Sequence, residues 1–455
     1  MRTRTYLLVL PFLAMACSSD PAVTPTDAGP DAKPKDGGSD ATPPPDISGT
    51  TAFDITVVSN TWGVPDNDTD PGTPQAGVEV RLENEAGGFL EATTDSSGKA
   101  TIKADATKGP FDVTVAKTGV GAASVLGVKA PADLTKKIWL PIPFVQKSYS
   151  MAGALNGKKS AANDVLIDAP WFETAFPKPN ATTYGSRHIY VDADPTDVTV
   201  AAIEVDSTKT AVNAVMMPAV KRTQSAMTVD VTFPTVAVTP TIANLKINVP
   251  STGVLTGADI TNVGQSGFPA YSNAIVLKLA GKSAVYVGLG VITKPVANVA
   301  NFKIQTFGGA LTPDVAYADM NNGAGLGIRA FFHTLTDATA VTIPPIQKLE
   351  ATGTSLADAT VTFDSTGYDY VVGSLYDDAA KDSPWVLYAV GSSLTAHKIP
   401  HLPSKVQLSS LTSASDLILG ITLVKSSKKP KDYSDVGGYV LDASASSGAQ
   451  VTAAF

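Results

Sequence analysis

Two histidines, His397 and His401, have the spacing that would place a pair of zinc ligands on one face of a helix. Pro400 lies between them and Pro403 follows, and a proline inside a helix removes a backbone donor and clashes with the preceding turn. The glutamate that stands between the two histidines of a helical zinc-protease motif is absent. We therefore predict no metal site here and expect surface histidines at strand ends.

Three aspartates, Asp66, Asp68 and Asp70, alternate in the stretch PDNDTDPG. Alternate carboxylates in a turn can converge on Ca²⁺, a cation that takes oxygen ligands. The stretch lacks the glycine position and the later bidentate glutamate of an EF-hand loop. Because aspartate and asparagine also stabilise turns by bonding their own backbone, we interpret the stretch as a turn, with calcium binding as the alternative.

The sequence contains no motif for catalysis or for a cofactor. Ser266, in GQSGF, lacks the spacing of a nucleophile elbow, and neither a dinucleotide-binding glycine motif before a helix nor a phosphate-binding loop is present. We therefore predict no catalytic residue and no cofactor. The formal net charge is −8 and arginine is scarce, so a nucleic-acid partner is not expected.

The only cysteine, Cys17, follows an apolar run that is preceded by two arginines and ends in small residues. This is the order of a secretory signal peptide, and the run is roughly half as long as a membrane span. Leu13–Cys17 resembles the lipobox of bacterial lipoproteins, which implies a lipid on the Cys17 thiol and removal of residues 1–16. An aspartate after the cysteine signals inner-membrane retention, and Ser18 stands there, which implies the outer membrane. An ordinary secretory signal with a chance cysteine is the alternative.

Residues 17–48 are rich in proline, aspartate, glycine, serine, threonine and alanine and contain no aromatic residue. Such a segment buries too little apolar surface to offset the entropy of ordering it, so we predict a disordered tether. A flexible coil of this length reaches about 30 Å, and an extended polyproline chain reaches about 90 Å. We therefore expect the folded part to stand off the membrane.

After Gly49 the sequence changes to short alternating runs of valine, threonine, alanine and isoleucine, separated by glycine and proline. This pattern is typical of an all-β protein. No long stretch has helical periodicity, and the roughly 400 residues that remain are too many for one hydrophobic core. The sequence therefore predicts several β-domains, which a chain with a single cysteine holds without disulfide bonds.

The first domain, residues 51–146, has the clearest strand pattern. Alternation places one set of apolar residues on the inner faces of its strands: Phe53, Ile55, Val57, Val78, Val80, Leu82, Phe111, Val113, Val115, Ile138 and Leu140, with Trp139 on the opposite face. The segment Asp95–Gly98 predicts a tight turn. The order AGVEVRLEN, TTDSSGKATI, FDVTVAKTG resembles a carboxypeptidase regulatory-like (prealbumin-like) domain, which implies a small β-sandwich and no chemistry of its own.

Three further β-sandwich domains are predicted at 147–234, 235–345 and 346–455. The similar stretches IANLKINVPSTG and LADATVTFDSTG are offset by roughly the length of one sandwich. The last domain, with YDYVVGSLYD, SPWVLYAVG and HKIPHLP, is loosely similar to an immunoglobulin-like fibronectin type III domain. Because VANFKIQTFGG falls midway between the similar stretches, a shorter repeat with propeller-like blades is the alternative.

These features predict a non-enzymatic lipoprotein of the cell envelope whose tandem β-sandwich domains present a binding or structural surface to protein or glycan partners. It contacts the membrane through the lipid on Cys17. The alternative is an extracellular hydrolase, or a carbohydrate-binding accessory protein, anchored to the outer membrane. Such a protein needs a cleft with paired carboxylates and aromatic platforms, whereas the tryptophans are spread over the chain: Trp62, Trp139, Trp171 and Trp385.

Overall fold

The structure is a computed structural model of the 455-residue chain. It describes residues 44–59, 71–141, 149–169, 174–177, 179–188, 197–221, 226–236, 238–264, 271–280, 283–353, 355–377, 385–408, 417–426, 431–433 and 448–454. The predicted signal peptide, Cys17, nearly all of the tether and the three alternating aspartates lie outside these residues. The strands of these described residues are grouped below into four units, whose strand counts refer to the described residues alone, and the domain boundaries given by the sequence stay predictions.

Unit 1 (residues 44–141) contains eight strands: β1 (Ser48–Ser59), β2 (Thr73–Pro74), β3 (Glu79–Asn84), β4 (Phe89–Thr93), β5 (Lys99–Ala104), β6 (Phe111–Lys117), β7 (Gly121–Val128) and β8 (Ile138–Trp139). One sheet joins β2, β1 and β5, with β8 parallel to β1, and a second runs β4-β3-β6-β7. The inner faces of both sheets form one core, in which Phe53 packs edge-on against Phe111. This confirms the predicted inner faces, including Ile138 and Leu140 opposite Trp139.

The turn between β4 and β5 follows the sequence prediction. One carboxylate oxygen of Asp95 accepts hydrogen bonds from the backbone N–H groups of Ser97 and Lys99. Gly98 has φ +74°, and a Cβ atom there would lie 2.4 Å from the carbonyl oxygen of Val57. Glycine is therefore required both by the left-handed backbone and by the close approach of β1.

Unit 2 contains seven strands: β9 (Tyr149–Asn156), β10 (Asp164–Asp168), β11 (Thr183–His188), β12 (Asp197–Val205), β13 (Ala211–Lys221), β14 (Ala226–Thr228) and β15 (Val231–Thr232). One sheet joins β11, β9, β14 and β15, and the other runs β10-β12-β13. Side chains that alternate along β12 point in two directions. Val200 and Ala202 enter the core between the two sheets, while Ala201 and Ile203 join the core shared with units 3 and 4. Unit 2 therefore packs against the core of units 3 and 4 through its β10-β12-β13 sheet.

Unit 3 contains eight strands: β16 (Thr241–Asn248), β17 (Asn262–Val263), β18 (Ala274–Ala280), β19 (Ser283–Ile292), β20 (Val299–Thr306), β21 (Val315–Asn321), β22 (Leu326–Phe332) and β23 (Ala340–Thr342). Unit 4 contains seven: β24 (Lys348–Thr352), β25 (Thr360–Asp364), β26 (Tyr370–Asp377), β27 (Trp385–Ala389), β28 (Ser393–Lys398), β29 (Leu417–Lys425) and β30 (Gly448–Ala454). The described residues also include three 3₁₀ turns, Ala106–Lys108, Pro131–Leu134 and Gly309–Leu311.

A 16-stranded sheet connects three of the units, in the order β23-β16-β20-β19-β18-β21-β22-β30-β29-β26-β27-β7-β6-β3-β4, with β17 beside β21. The C-terminal strand β30 joins unit 3 to unit 4, because it pairs with both β22 and β29. The parallel pair of β27 and β7 joins unit 4 to unit 1. A propeller would instead divide its strands among separate radial blades. The chain is all-β with tandem sandwiches, as predicted.

Asp168, at the end of β10, contacts unit 3. Its carboxylate accepts hydrogen bonds from the backbone N–H of Tyr286, at 2.8 Å, and from the hydroxyl of Thr174, at 2.9 Å. Burial of the carboxyl group raises the pKa of Asp168 to about 6, although both hydrogen bonds act in the opposite direction. The ionised form is therefore disfavoured at this contact.

We expect the stability of the protein to respond to the ionisation of Asp168. Because the folded pKa lies above the unfolded one, the contribution of this group is complete below about pH 4 and is lost as the pH rises through 6, by on the order of 1–3 kcal/mol. Asp168→Asn should remove this loss, as shown by urea unfolding at pH 4.5 and pH 7.5.

The exposed turn residue Asp206 is the matched control for Asp168. The hydroxyl and N–H of Thr208 and the N–H of Thr210 lower its pKa, so its contribution is lost only as the pH falls below about 4, and Asp206→Asn should leave the difference in stability between pH 4.5 and pH 7.5 unchanged. Equal pH profiles for Asp168→Asn and the parent protein would contradict the assignment.

Candidate functional site

The outer face of the second sheet of unit 1 carries three buried charged side chains, Arg81, Glu83 and Asp112. Alternation along β3 sends Val80 and Leu82 into the core of unit 1 and leaves Arg81 and Glu83 on the outer face. Register places Arg81 opposite Glu91 of β4. Arg81 is 9% exposed and Glu83 is 5% exposed, so this polar face is covered.

Arg81 organises the charges of this face. Its Nε donates to Oε2 of Glu83 at 2.7 Å, and its Nη1 lies 3.3 Å from Oε1 of Glu91. Its guanidinium carbon lies 3.7 Å from the centre of the Phe89 ring, within the range of a cation–π contact. The guanidinium group of Arg81 therefore contacts two carboxylates and one aromatic ring.

The segment after β28 in unit 4 covers this face. The backbone N–H of His401 donates to Oε1 of Glu83 at 2.5 Å, and Nδ1 of His401 lies 3.1 Å from Oε2 of Glu83. The backbone N–H and the hydroxyl of Ser404 both donate to the carboxylate of Glu91. Burial acts to raise the pKa of Glu91, but the Ser404 and Arg81 contacts outweigh it and lower that pKa.

His397, on β28, is the most buried charged group that unit 4 contributes. Only 5% of the residue is exposed, and its Nε2 lies 2.8 Å from Oδ2 of Asp112 on β6. Its Nδ1 lies 3.4 Å from Oε1 of Glu85, and Asp112 also accepts the backbone N–H of Gly127. The expectation of a surface residue is therefore wrong for His397, because a histidine flanked by two carboxylates tolerates burial.

His401 agrees with the sequence prediction, since its side chain is 76% exposed just beyond the end of β28. The two histidines do not share a helix face, because His397 lies in a strand. In the part of the chain that the structure describes, no group of three or more histidine, cysteine, aspartate or glutamate side chains is arranged to hold a metal ion.

Two tryptophans that are far apart in sequence both lie at the contact between units 1 and 4. Trp385 of β27 is fully buried, and its Nε1 donates to the hydroxyl of Ser124 on β7 at 2.8 Å. Trp139 of β8 is also fully buried, and its Nε1 lies 3.3 Å from Oδ2 of Asp432. The backbone of Trp139 donates to the carbonyl of Tyr433 at 2.9 Å. Sequence analysis missed this role, since nothing in the sequence pairs the two residues.

We define the unit 1–unit 4 interface as the β7–β27 strand pair, the Trp139 contacts and the contacts of Glu79–Glu91 and Asp112 with His397–Lys405. Its carboxylates accept hydrogen bonds from backbone N–H groups, hydroxyls and imidazoles across the interface. Such an arrangement holds two parts of the chain together, and each of these carboxylates already has a protein partner.

No protein-family profile matches the chain, and no curated protein matches it. Similar solved structures include GBS52, the minor pilin of Streptococcus agalactiae, at 14% identity over 40% of this chain and 95% of that chain, with a TM-score of 0.16. The shaft pilin SpaA of Lactobacillus rhamnosus GG has 12% identity over 40% and 96%, with a TM-score of 0.15.

A putative adhesin from Bacteroides ovatus has 12% identity over 40% of this chain and 94% of that chain, with a TM-score of 0.15. Within the described residues, no helix has the length and apolar character to span a bilayer.

Proposed function

We propose that this chain is a non-enzymatic outer-membrane lipoprotein whose β-sandwich units form one structural body that presents a binding surface to protein or glycan partners. The observation that supports this most directly is the unit 1–unit 4 interface. It joins unit 1, which follows the tether, to unit 4 through the parallel pair of β7 and β27 and through buried side-chain contacts. A body in which units 1 and 4 are joined in this way suits a role in display or support.

The proposed anchor is a lipid on Cys17, and the proposed spacer is the tether that follows it. The support is the order of charged, apolar and small residues before the only cysteine. One acyl chain gives marginal membrane binding, and two or more give lasting attachment. The tether would then hold the folded units away from the bilayer.

We also propose that residues 51–146 form a carboxypeptidase regulatory-like domain. Its support is the sequence order of the three quoted stretches together with the two-sheet arrangement of β1–β8 and the Asp95 turn. A domain of this kind acts as a spacer or as a binding module. Its presence next to the tether fits a role in display.

Replacing Cys17 with serine should abolish lipid attachment and leave the protein in the aqueous phase of a detergent partition, or leave its leader uncleaved. Ser18→Ala is the matched control and should partition as the parent does, while Ser18→Asp should move the protein to the inner-membrane fraction. Mass spectrometry of the mature N-terminus reads the acylation directly. Detergent-phase partitioning of Cys17→Ser that equals the parent would rule out the anchor.

The non-enzymatic part of the proposal has a separate test. Purified protein applied to arrays of glycans and of envelope proteins should bind without turnover. Release of cleaved product from any bound glycan would instead identify a hydrolase.

A further inference from the structure

At the unit 1–unit 4 interface, carboxylates of unit 1 face histidine and lysine side chains of unit 4, while Arg81 of unit 1 contacts two of the same carboxylates. Unit 1 contributes carboxylates from β3, β4, β6 and the β3–β4 turn: Glu79, Glu83, Glu85, Glu91 and Asp112. Unit 4 contributes His397, His401 and Lys405, whose Nζ lies 3.6 Å from Oε2 of Glu79. Complementary charge of this kind gives an interface its register and makes its strength depend on protonation.

His397 is the buried group of this interface whose ordinary pKa lies closest to neutral. Asp112 of β6 and Glu85 of the β3–β4 turn face its two ring nitrogens. Lys398 follows His397 on β28. The residue of β25 that pairs with His397 is the apolar Val361. Farther along the interface, Glu83 is shared by Arg81 and His401. Two carboxylates therefore act on His397 directly, with one neighbouring lysine in the chain.

The direction of the effect follows from these contacts. Burial acts to lower the pKa of His397, but the hydrogen bond and charge of Asp112 and the charge of Glu85 outweigh it, so that pKa is raised. When the interface opens, the imidazole regains water and its ordinary pKa of about 6.5. The closed form therefore binds the proton more tightly, and closure is favoured fully below about pH 6.5 and progressively less as the pH rises through the raised pKa.

We propose that the unit 1–unit 4 interface is a pH-sensitive contact, in which protonated His397 holds unit 1 on unit 4 and loss of its proton loosens the β7–β27 pair. The neutral imidazole still donates from Nε2 to Asp112, but it no longer offers an N–H to Glu85. Loosening is therefore partial, and it exposes the edge of β7 and the acidic face of unit 1. The proposal is independent of the lipid anchor.

Hydrogen exchange of the intact protein tests this proposal. Protection factors, corrected for the intrinsic pH dependence of exchange, are measured from pH 5.5 to 8.5 for peptides that cover β7 and β27. They should fall by up to about tenfold per pH unit above pH 6.5, since one pKa unit corresponds to a factor of ten. Peptides of β21 and β22, remote from the interface, should show no such fall.

His397→Gln should remove the pH dependence of protection, and His401→Gln, which changes the exposed histidine, should keep it. A flat profile in the parent protein, or an equal slope in His397→Gln, would overturn the proposal. Because His397→Gln can fail to fold, an NMR titration of the parent protein gives a second reading. The His397 ring should titrate above the ordinary histidine value of about 6.5, and a midpoint at or below that value also overturns the proposal.

Discussion

Replacing Trp385 with alanine is expected to lower the free energy of unfolding by about 3–5 kcal/mol, the cost of removing a large buried aromatic side chain. Trp385 is fully buried, and its indole N–H is bonded to Ser124, 261 residues earlier in the chain. The loss should be accompanied by reduced hydrogen-exchange protection of β7, because Trp385 pairs with Ala122 in the parallel ladder. Urea unfolding and exchange of the intact chain measure the two effects.

Trp385→Phe is the matched control, since it keeps a buried aromatic ring and removes the N–H donor together with the rest of the five-membered ring of the indole. Its cost should be about 1–3 kcal/mol, from the lost hydrogen bond and the small cavity left behind. The Ser124 hydroxyl retains Thr114 as a partner at 2.8 Å, which limits the penalty. A cost below about 1 kcal/mol for Trp385→Ala would show that the interface carries little of the stability.

Replacing Arg329 with alanine is expected to lower the free energy of unfolding by about 3–5 kcal/mol. The change leaves the carboxylate of Asp319 buried without its counter-charge. Nε and Nη2 of Arg329 donate to the two oxygens of Asp319 at 2.5 and 2.9 Å, across the β21–β22 pair. Both residues are buried, and the guanidinium carbon lies 5.0 Å from the Tyr317 ring centre. Burial acts to lower the pKa of Arg329, but the charge and hydrogen bonds of Asp319 outweigh it and raise that pKa, so the guanidinium stays charged.

The double change Arg329→Met with Asp319→Leu should recover most of the stability that Arg329→Ala loses, because no isolated charge remains. Lys209→Met at the exposed Lys209–Asp164 pair is the surface control and should change stability by less than about 1 kcal/mol. Equal costs for the buried and the exposed pairs would contradict this account. Urea unfolding of the parent protein and the three variants measures these differences.

The alternating strands of unit 1 could be predicted from the sequence because their core is local. Phe53, Ile55 and Val57 follow the two-residue period of a strand, and all three are buried. The Asp95–Gly98 turn could be predicted for the same reason, since its hydrogen bonds join residues within four positions of each other. Side-chain period and turn chemistry need no knowledge of distant parts of the chain.

The polar face of unit 1 could not be predicted in this way. In β6 the residues between Phe111, Val113 and Val115 are Asp112 and Thr114, a pattern typical of a strand with one face in water. The structure buries both faces, because unit 4 covers the polar one. Asp112 finds His397 285 residues later, and only the folded chain shows that pairing.

The parallel pairing of β7 with β27 also has a consequence for biogenesis. A polypeptide is synthesised from its N-terminus, so β7 emerges long before β27 does. Until the later strand arrives, one edge of the nascent sandwich has unpaired N–H and C=O groups, which invite pairing with other chains. A chain of this topology therefore gains from a holdase, or from delayed folding, until β27 has been synthesised.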